Sequence, residues 1–288
     1  MTSSVLAWES TIRLAAFLGV LVAMGVWETV APRRKYTASK PARWLSNLGL
    51  AVINTLAIRL VLALGAVGIA LEAQNQRWGL LNHVAWPGWL EVILGVLALD
   101  LVIYLQHVLF HAVPVFWRLH QVHHADPDFD VSTGLRFHTI EIVLSMGIKA
   151  AAIVLLGAAP LAVLAFEVLL NATSMFNHSN VRMPLWLDRV LRLIVVTPDM
   201  HRVHHSTIRR ETNSNYGFNL PWWDYLLGTY RAQPKLGHEG MRIGLAHIPA
   251  ERAVGLHRLL AIPVVERVGE DEAEELRGGE RERGRGGD

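Results

Sequence analysis

Nine of the fourteen histidines in this 288-residue chain fall into three tight motifs and one isolated position. They are His107-x-x-x-His111, His120-x-x-His123-His124, His178, and His201-x-x-His204-His205. Residues three and four apart on a helix share a face, so each motif is expected to aim two or three imidazoles at one point. Imidazole is the commonest nitrogen ligand for zinc, copper, iron and nickel. A single His-x-x-x-His pair arises by chance on surface helices. Two copies of His-x-x-His-His together with a third pair predict a metal site holding more than one ion.

The chain contains no cysteine, which excludes thiolate zinc, iron–sulfur clusters and disulfides and leaves imidazole and carboxylate as ligands. Nine nitrogens exceed what one tetrahedral ion uses. Shared between two ions they supply four or five each and leave open positions. Such nitrogen-rich sites suit iron and dioxygen chemistry, and zinc and copper accept the same donors.

Several neighbours are candidates for supporting roles. Asp100 and Tyr104 share a helical stripe with His107 and His111. A carboxylate within a span is costly, so Asp100 is expected to accept a ligand histidine N–H, the alternative being a pairing with an arginine or lysine. His138 is read in three ways: as a further ligand, as a hydrogen-bonding partner of substrate, or as a helix cap. Asp199, two residues before His201, lies off the ligand face and suits the positive N-terminal end of a helix. His83, His238, His247 and His257 stand outside any motif and read as ordinary packing or surface residues.

The elements that carry these motifs are apolar. Hydrophobic residues make up 52% of the chain and charged residues 18%. A bilayer core takes about 20 apolar residues in a helix. Candidate spans run over 11–30, 45–71 and 88–110, and the stretch 140–176 is long enough for a hairpin turning at Ala158-Ala159-Pro160. Glu141, Lys149 and Glu167 inside this hairpin are expected to snorkel, to face a protein cavity, or to mark partial insertion. The fold class predicted is all-α: an integral membrane helical bundle with a cytoplasmic, histidine-rich cap. Arg33, Arg34, Lys35, Lys40 and Arg43 follow the first span, and the next loop has only Arg77. The positive-inside rule therefore places the first loop in the cytoplasm. Counting crossings from there puts every clustered histidine on that side.

Beyond the hairpin, 185–196 reads as an amphipathic or interfacial helix. The segment 213–230 reads as a loop followed by a short packed stretch, with Trp222 and Trp223 either at headgroup level or in the core. The tail from Glu266 to Asp288 holds nine acids and five arginines and is expected to be disordered. Subtracting its net −4 from the whole chain's +2 leaves a body of about +6. A basic, apolar body suits anionic membrane headgroups. No nucleic-acid motif is present, so no nucleic-acid partner is expected. The expected organisation is an N-terminal transmembrane region (1–95), a catalytic domain (96–235), a C-terminal extension (236–265) and the tail (266–288).

The ordered motifs resemble the fatty acid hydroxylase/sterol desaturase superfamily. The similarity runs through Asp100-x6-His107-x3-His111, Trp117-Arg118-Leu119-His120-Gln121-Val122-His123-His124 and Leu135-Arg136-Phe137-His138. It continues through Phe176-Asn177-His178-Ser179-Asn180, Thr197-Pro198-Asp199-Met200-His201-Arg202-Val203-His204-His205, Asn215-Tyr216-Gly217, and Trp223-Asp224-Tyr225-Leu226-Leu227-Gly228-Thr229-Tyr230. The resemblance implies a membrane non-haem di-iron enzyme that uses dioxygen and two external electrons to hydroxylate or desaturate a lipid. It also implies that all nine histidines are ligands. The chain departs from the family pattern at Thr139, where relatives often carry proline, and at Val108, where arginine is frequent. No haem-domain motif is present, so a separate electron carrier and reductase are expected. Two alternatives from other classes are a membrane zinc metallohydrolase and a non-catalytic metal-binding membrane protein. The absence of a His-Glu-x-x-His run counts against a zinc protease.

Overall fold

A computed structural model describes residues 2–266, and among these the chain is helical with no β-strand. Residues 267–288, and with them most of the expected disordered tail, lie outside the described residues. A short α1 (Thr2–Ala7) leads into α2 (Glu9–Val30), α3 (Lys40–Val61) and α4 (Ala66–Asn75). Next come α5 (Gly88–Ala112), α6 (Pro114–His124), α7 (Thr139–Leu156) and α8 (Pro160–Asn177). Short helices complete the chain: α9 (Leu185–Leu191), α10 (Pro198–His204), α11 (Arg209–Thr212), α12 (Trp222–Leu226), α13 (Gly237–Gly240) and α14 (Leu256–Val265).

Among the described residues, five helical stretches are long and apolar enough to cross a bilayer: α2, the run that opens with α3, α5, α7 and α8. At 1.5 Å per residue, the 22 residues of α2 span about 33 Å, close to the hydrocarbon thickness. The membrane core sits where α5 and α4 pack against α7 and α8, around Leu99, Ile103, Ile153, Val163, Leu164 and Phe166. The hairpin forms where the sequence places it. Gly157 ends α7 in the left-handed region at φ 68°, and Pro160 opens α8 at a position that needs no N–H donor. Any side chain at Gly157 would meet Trp78 O at 2.7 Å, because the loop after α4 packs against this turn.

One expected span is broken. Within 45–71 the helix stops at Val61, Leu62 is extended, and α4 begins after Gly65. The restart turns the small face of α4, Ala66, Ala70 and Ala73, into the core, where small side chains let it approach α7 and α8 closely. The charges inside the hairpin are paired rather than snorkelled. Lys149 donates to Glu167, which also pairs with Arg13 of α2.

The basic loop after α2 is bonded to the histidine-bearing cap. Arg33 N donates to Asn180 O at 2.9 Å and Arg182 N to Ala31 O at 2.8 Å. Thr37 N donates to Asp128 Oδ1 at 2.9 Å. Glu28, buried at the end of α2, accepts from Val131 N at 2.7 Å and from Asn180 N at 2.8 Å. The loop and the histidine motifs therefore share one end of the bundle, as the crossing count requires.

In the distal part, the helix expected over 185–196 is confined to α9, and its polarity is inverted. Asp188 and Arg192 are buried as a 2.8 Å pair, whereas Leu185, Trp186, Val190, Leu193 and Ile194 are exposed. Trp222 Nε1 donates to Leu193 O at 2.7 Å and the Tyr225 hydroxyl to Arg192 O at 3.0 Å. These bonds join the exposed Leu226 and Leu227 to the same apolar surface.

Candidate metal centre

All nine clustered histidines are buried, none more than 7% exposed. They form two groups that could each hold a metal ion: His107, His111, His120, His124 and His204 in one, and His123, His178, His201 and His205 in the other. This corrects the expectation that each motif aims at one point. Both His-x-x-His-His boxes are divided, His123 leaving His120 and His124, and His204 leaving His201 and His205. Successive helical residues are rotated by about 100°, so adjacent histidines such as His123 and His124 must look in different directions.

The elements position the rings as follows. Helix α5 presents His107 and His111 from its last two turns, and α6, begun by Pro114 at a first-turn position, presents the second box. His178 is the C-cap of α8. The third box lies on α10 and its C-cap His205; Pro198 again occupies the first turn and the Thr197 hydroxyl accepts from Met200 N.

Hydrogen bonds to the Nδ1 side orient the rings. Nδ1 of His107 faces Tyr216 O at 2.7 Å, His178 faces Ser174 O at 2.7 Å, His204 faces Ser214 O at 2.7 Å, and His123 faces Arg136 O at 3.1 Å. Carbonyls only accept, so these four Nδ1 atoms carry the proton, and each Nε2 is left with a lone pair. His120 Nδ1 lies 2.6 Å from Glu141 Oε1, and His111 Nδ1 donates to Asn213 Oδ1 at 3.2 Å.

Those Nε2 atoms face one another. His107 Nε2 lies 3.1 Å from His120 Nε2 and 3.0 Å from His204 Nε2. His178 Nε2 lies 3.1 Å from His123 Nε2, 3.1 Å from His201 Nε2 and 3.2 Å from His205 Nε2. The buried Nε2 atoms of His111 and His124 have no hydrogen-bond partner. Facing lone pairs repel unless a cation lies between them. Nitrogens about 2.1 Å from one ion at cis or tetrahedral angles are roughly 3.0–3.4 Å apart, so the spacing fits metal coordination. Burial also keeps the donors neutral, as ligation requires. It lowers His120 and His178 to about 3. Burial, with neighbouring imidazoles adding to it, holds His123, His124, His201 and His205 well below the ordinary histidine value.

The other candidates stand outside the two groups. Asp100 meets neither a clustered histidine nor an arginine or lysine; its Oδ2 accepts from Trp223 Nε1 at 2.8 Å. Seven residues separate it from His107, about 10 Å along the helix, too far for direct contact. Tyr104 bonds Thr229 Oγ1 at 2.8 Å, and Thr229 donates to Asp224 at 2.6 Å. Asp224 accepts from Tyr216 N at 2.8 Å, so Tyr104 acts on His107 only through this loop. His138 is the N-cap of α7, its Nδ1 accepting from Ile140 N at 3.2 Å, which is the capping role among the three read from sequence. Asp199 pairs with Arg202 and, at 3.3 Å, with Arg33.

Sequence reasoning missed the carboxylate that does touch one of the clustered imidazoles. Glu141 opens an apolar span, where the cost of a carboxylate calls for a partner but does not say which. Phe137 and Phe218 were missed as well. Phe137 stacks on His123 at 4.4 Å and lies 6.2 Å from His120. Phe218 lies 4.9 Å from His107 and 5.9 Å from His201. Each phenyl ring thus lies beside both histidine groups; Phe218 belongs to the apolar core and Phe137 packs against it.

Residues 92–229 match the fatty acid hydroxylase family. The chain is 28% identical over 248 residues to an ornithine lipid hydroxylase of Rhizobium tropici, covering 82% of this chain and 73% of that one. It is 32% identical over 160 residues to the alkylglycerol monooxygenase of Homo sapiens, covering 55% of this chain and 33% of that protein. It is 29% identical over 144 residues to cholesterol 25-hydroxylase of Homo sapiens, covering 49% and 51%. No solved structure matches the chain significantly. The ordered motifs, the membrane-length helices and these matches all point to one family, the fatty acid hydroxylases, whose model matches residues 92–229.

Proposed function

We propose that this protein is a membrane-bound, dioxygen-dependent lipid hydroxylase with a di-iron centre held by His107, His111, His120, His124 and His204 on one side and His123, His178, His201 and His205 on the other. The observation that carries this reading is the inward convergence of buried, neutral imidazoles in two groups at metal-ligand spacing. When bound, the two irons would supply the activation of dioxygen. The stoichiometry is R–H + O2 + 2 H+ + 2 electrons giving R–OH + H2O, with the electrons drawn from a separate carrier and reductase. Hydroxylation is favoured over desaturation because the relatives named above are hydroxylases or monooxygenases. The sterol desaturase branch of the superfamily has no specific support.

The chain's own contribution is orientation and exclusion of water. Backbone carbonyls, Asn213 and Glu141 set the ring directions. Phe137 and Phe218 close the membrane side of the cluster with apolar surface, suited to an acyl or other hydrocarbon chain arriving from the bilayer. The exposed apolar surface of α9 and α12 would lie against the leaflet, and the basic α2–α3 loop supports a cytoplasmic position for this end of the bundle.

Turnover under isotope-labelled dioxygen tests the reaction class. The protein, loaded with iron and given lipid with a ferredoxin and its reductase, is expected to yield alcohol whose oxygen comes from dioxygen. Product oxygen drawn only from water, or turnover without dioxygen, would replace this reading with the zinc hydrolase.

Glu141 gives a second test. A carboxylate on the far nitrogen of a ligand imidazole typically contributes 10- to 100-fold to metal affinity or activity. Glu141→Gln keeps the shape and removes the charge, so iron retention against a chelator should fall by about 10-fold or more. Unchanged retention would mean that Glu141 only fills space.

A further inference from the structure

Of the nine clustered histidines, His111 is nearest to solvent, 7% exposed against 0–2% for the others. Its Nδ1 donates to Asn213, whose side chain is exposed. A single residue therefore separates solvent from this edge of the cluster. Asn213 directly follows α11, on which Arg210 is exposed and Arg209 half-buried. Two further cations are carried to the same place by the backbone. Arg231 N donates to Asn215 Oδ1 at 2.8 Å, and Lys235 N donates to Glu211 Oε1 at 2.5 Å. The side chains of Arg231 and Lys235 are exposed. The acids between His205 and His238 are Glu211 and Asp224, and both are buried. The exposed charged side chains of this segment are therefore all cationic.

This face lies at the end of α5, where His111 is the last residue but one. It borders the exposed apolar surface of α9 and α12, because Arg192, which caps α9, donates to Ala232 O at 2.8 Å. A cationic face set over the most accessible ligand of a redox site is complementary to an acidic protein.

We infer that Arg209, Arg210, Arg231 and Lys235 form the docking face for a small acidic one-electron carrier protein, with electrons entering through Asn213 and His111. The inference rests on the hydroxylase reading. Each turnover takes two encounters, each oxidising one carrier by one electron. The two electrons, with two protons, reduce dioxygen as one oxygen atom is inserted into the C–H bond and the other leaves as water.

The test uses the full-length, iron-loaded protein in nanodiscs, with an acidic [2Fe–2S] ferredoxin and its reductase as one donor and dithionite with methyl viologen as the other. The triple variant Arg210→Glu/Arg231→Glu/Lys235→Glu should raise the KM for ferredoxin by about 10-fold or more at low salt and flatten its dependence on ionic strength. Dithionite-driven turnover and iron content should stay within about twofold of the parent. Arg252→Glu/Arg258→Glu, on the face carrying α14, should leave the ferredoxin KM unchanged. An unchanged KM in the triple variant overturns the docking face. Equal loss with both donors also overturns it. If that loss appears only in phosphatidylglycerol discs and not in phosphatidylcholine discs, the face binds anionic headgroups. Parent protein inactive with either donor would refute the hydroxylase reading itself, and the docking face with it.

Discussion

Replacing His123 by alanine is expected to produce the defect of His178→Ala rather than that of its chain neighbour His124→Ala. His123 Nε2 faces His178, whereas His124 groups with His107, His111, His120 and His204. Likewise His204→Ala should behave like His107→Ala, which it faces at 3.0 Å, and unlike His201→Ala. Each variant should lower iron from two ions per chain towards one. Alanine variants of one group should leave the same residual ion spectroscopically, and the two groups should leave different ones. Turnover should fall by more than about 100-fold in every case, since loss of a supporting contact alone reaches that range. Iron analysis with Mössbauer spectra of the as-purified variants reads both. If neighbours within one box lost the same ion, the division would be wrong.

The largest stability effect is expected at Arg43. This fully buried guanidinium, on α3, contacts Asp126 at 2.5 and 2.9 Å and Asp130 at 2.6 Å. Burial by itself would raise the Asp126 carboxyl, but Arg43 and Arg136 together hold it at about 2. Arg43→Met would strand two buried carboxylates, at a cost of about 3–5 kcal/mol. For a chain of this size that lowers the melting temperature in detergent by roughly 10 °C. The consequence reaches the metal centre. Asp130 caps the turn over Val131–Leu135, and that turn leads to Arg136, whose carbonyl holds His123. Iron should therefore be retained less well in this variant even at temperatures where it remains folded. A shift below about 2 °C would mean that the carboxylates find other partners.

Arg43 also shows how a residue can do more than its local context reveals. Its sequence context, in a basic loop after a span, served as an orientation signal. The structure uses it as the counter-ion of the cap, and Arg33 binds Asp199 in the same manner. Both roles place the loop beside the histidines, but only the second explains why. Asp100 shows the reverse case. The cost of a carboxylate within a span correctly requires a partner, yet stripe position alone chose the wrong one, because Trp223 lies 123 residues away in the chain.

The ligand candidates, the apolar helices and the hairpin at Gly157–Pro160 are determined by the sequence alone, because imidazole spacing, hydropathy over a helix length and the φ preferences of glycine and proline are local properties. The break between α3 and α4, the division of each histidine box, and the choice of Glu141 over Asp100 were decided only by the tertiary structure. Each depends on where a surface from a distant segment comes to lie: α7 and α8 against the small face of α4, α8 and α10 against α6, and the start of α7 against His120. A helical repeat fixes the angle between His123 and His124, but which neighbour each one meets is set by packing.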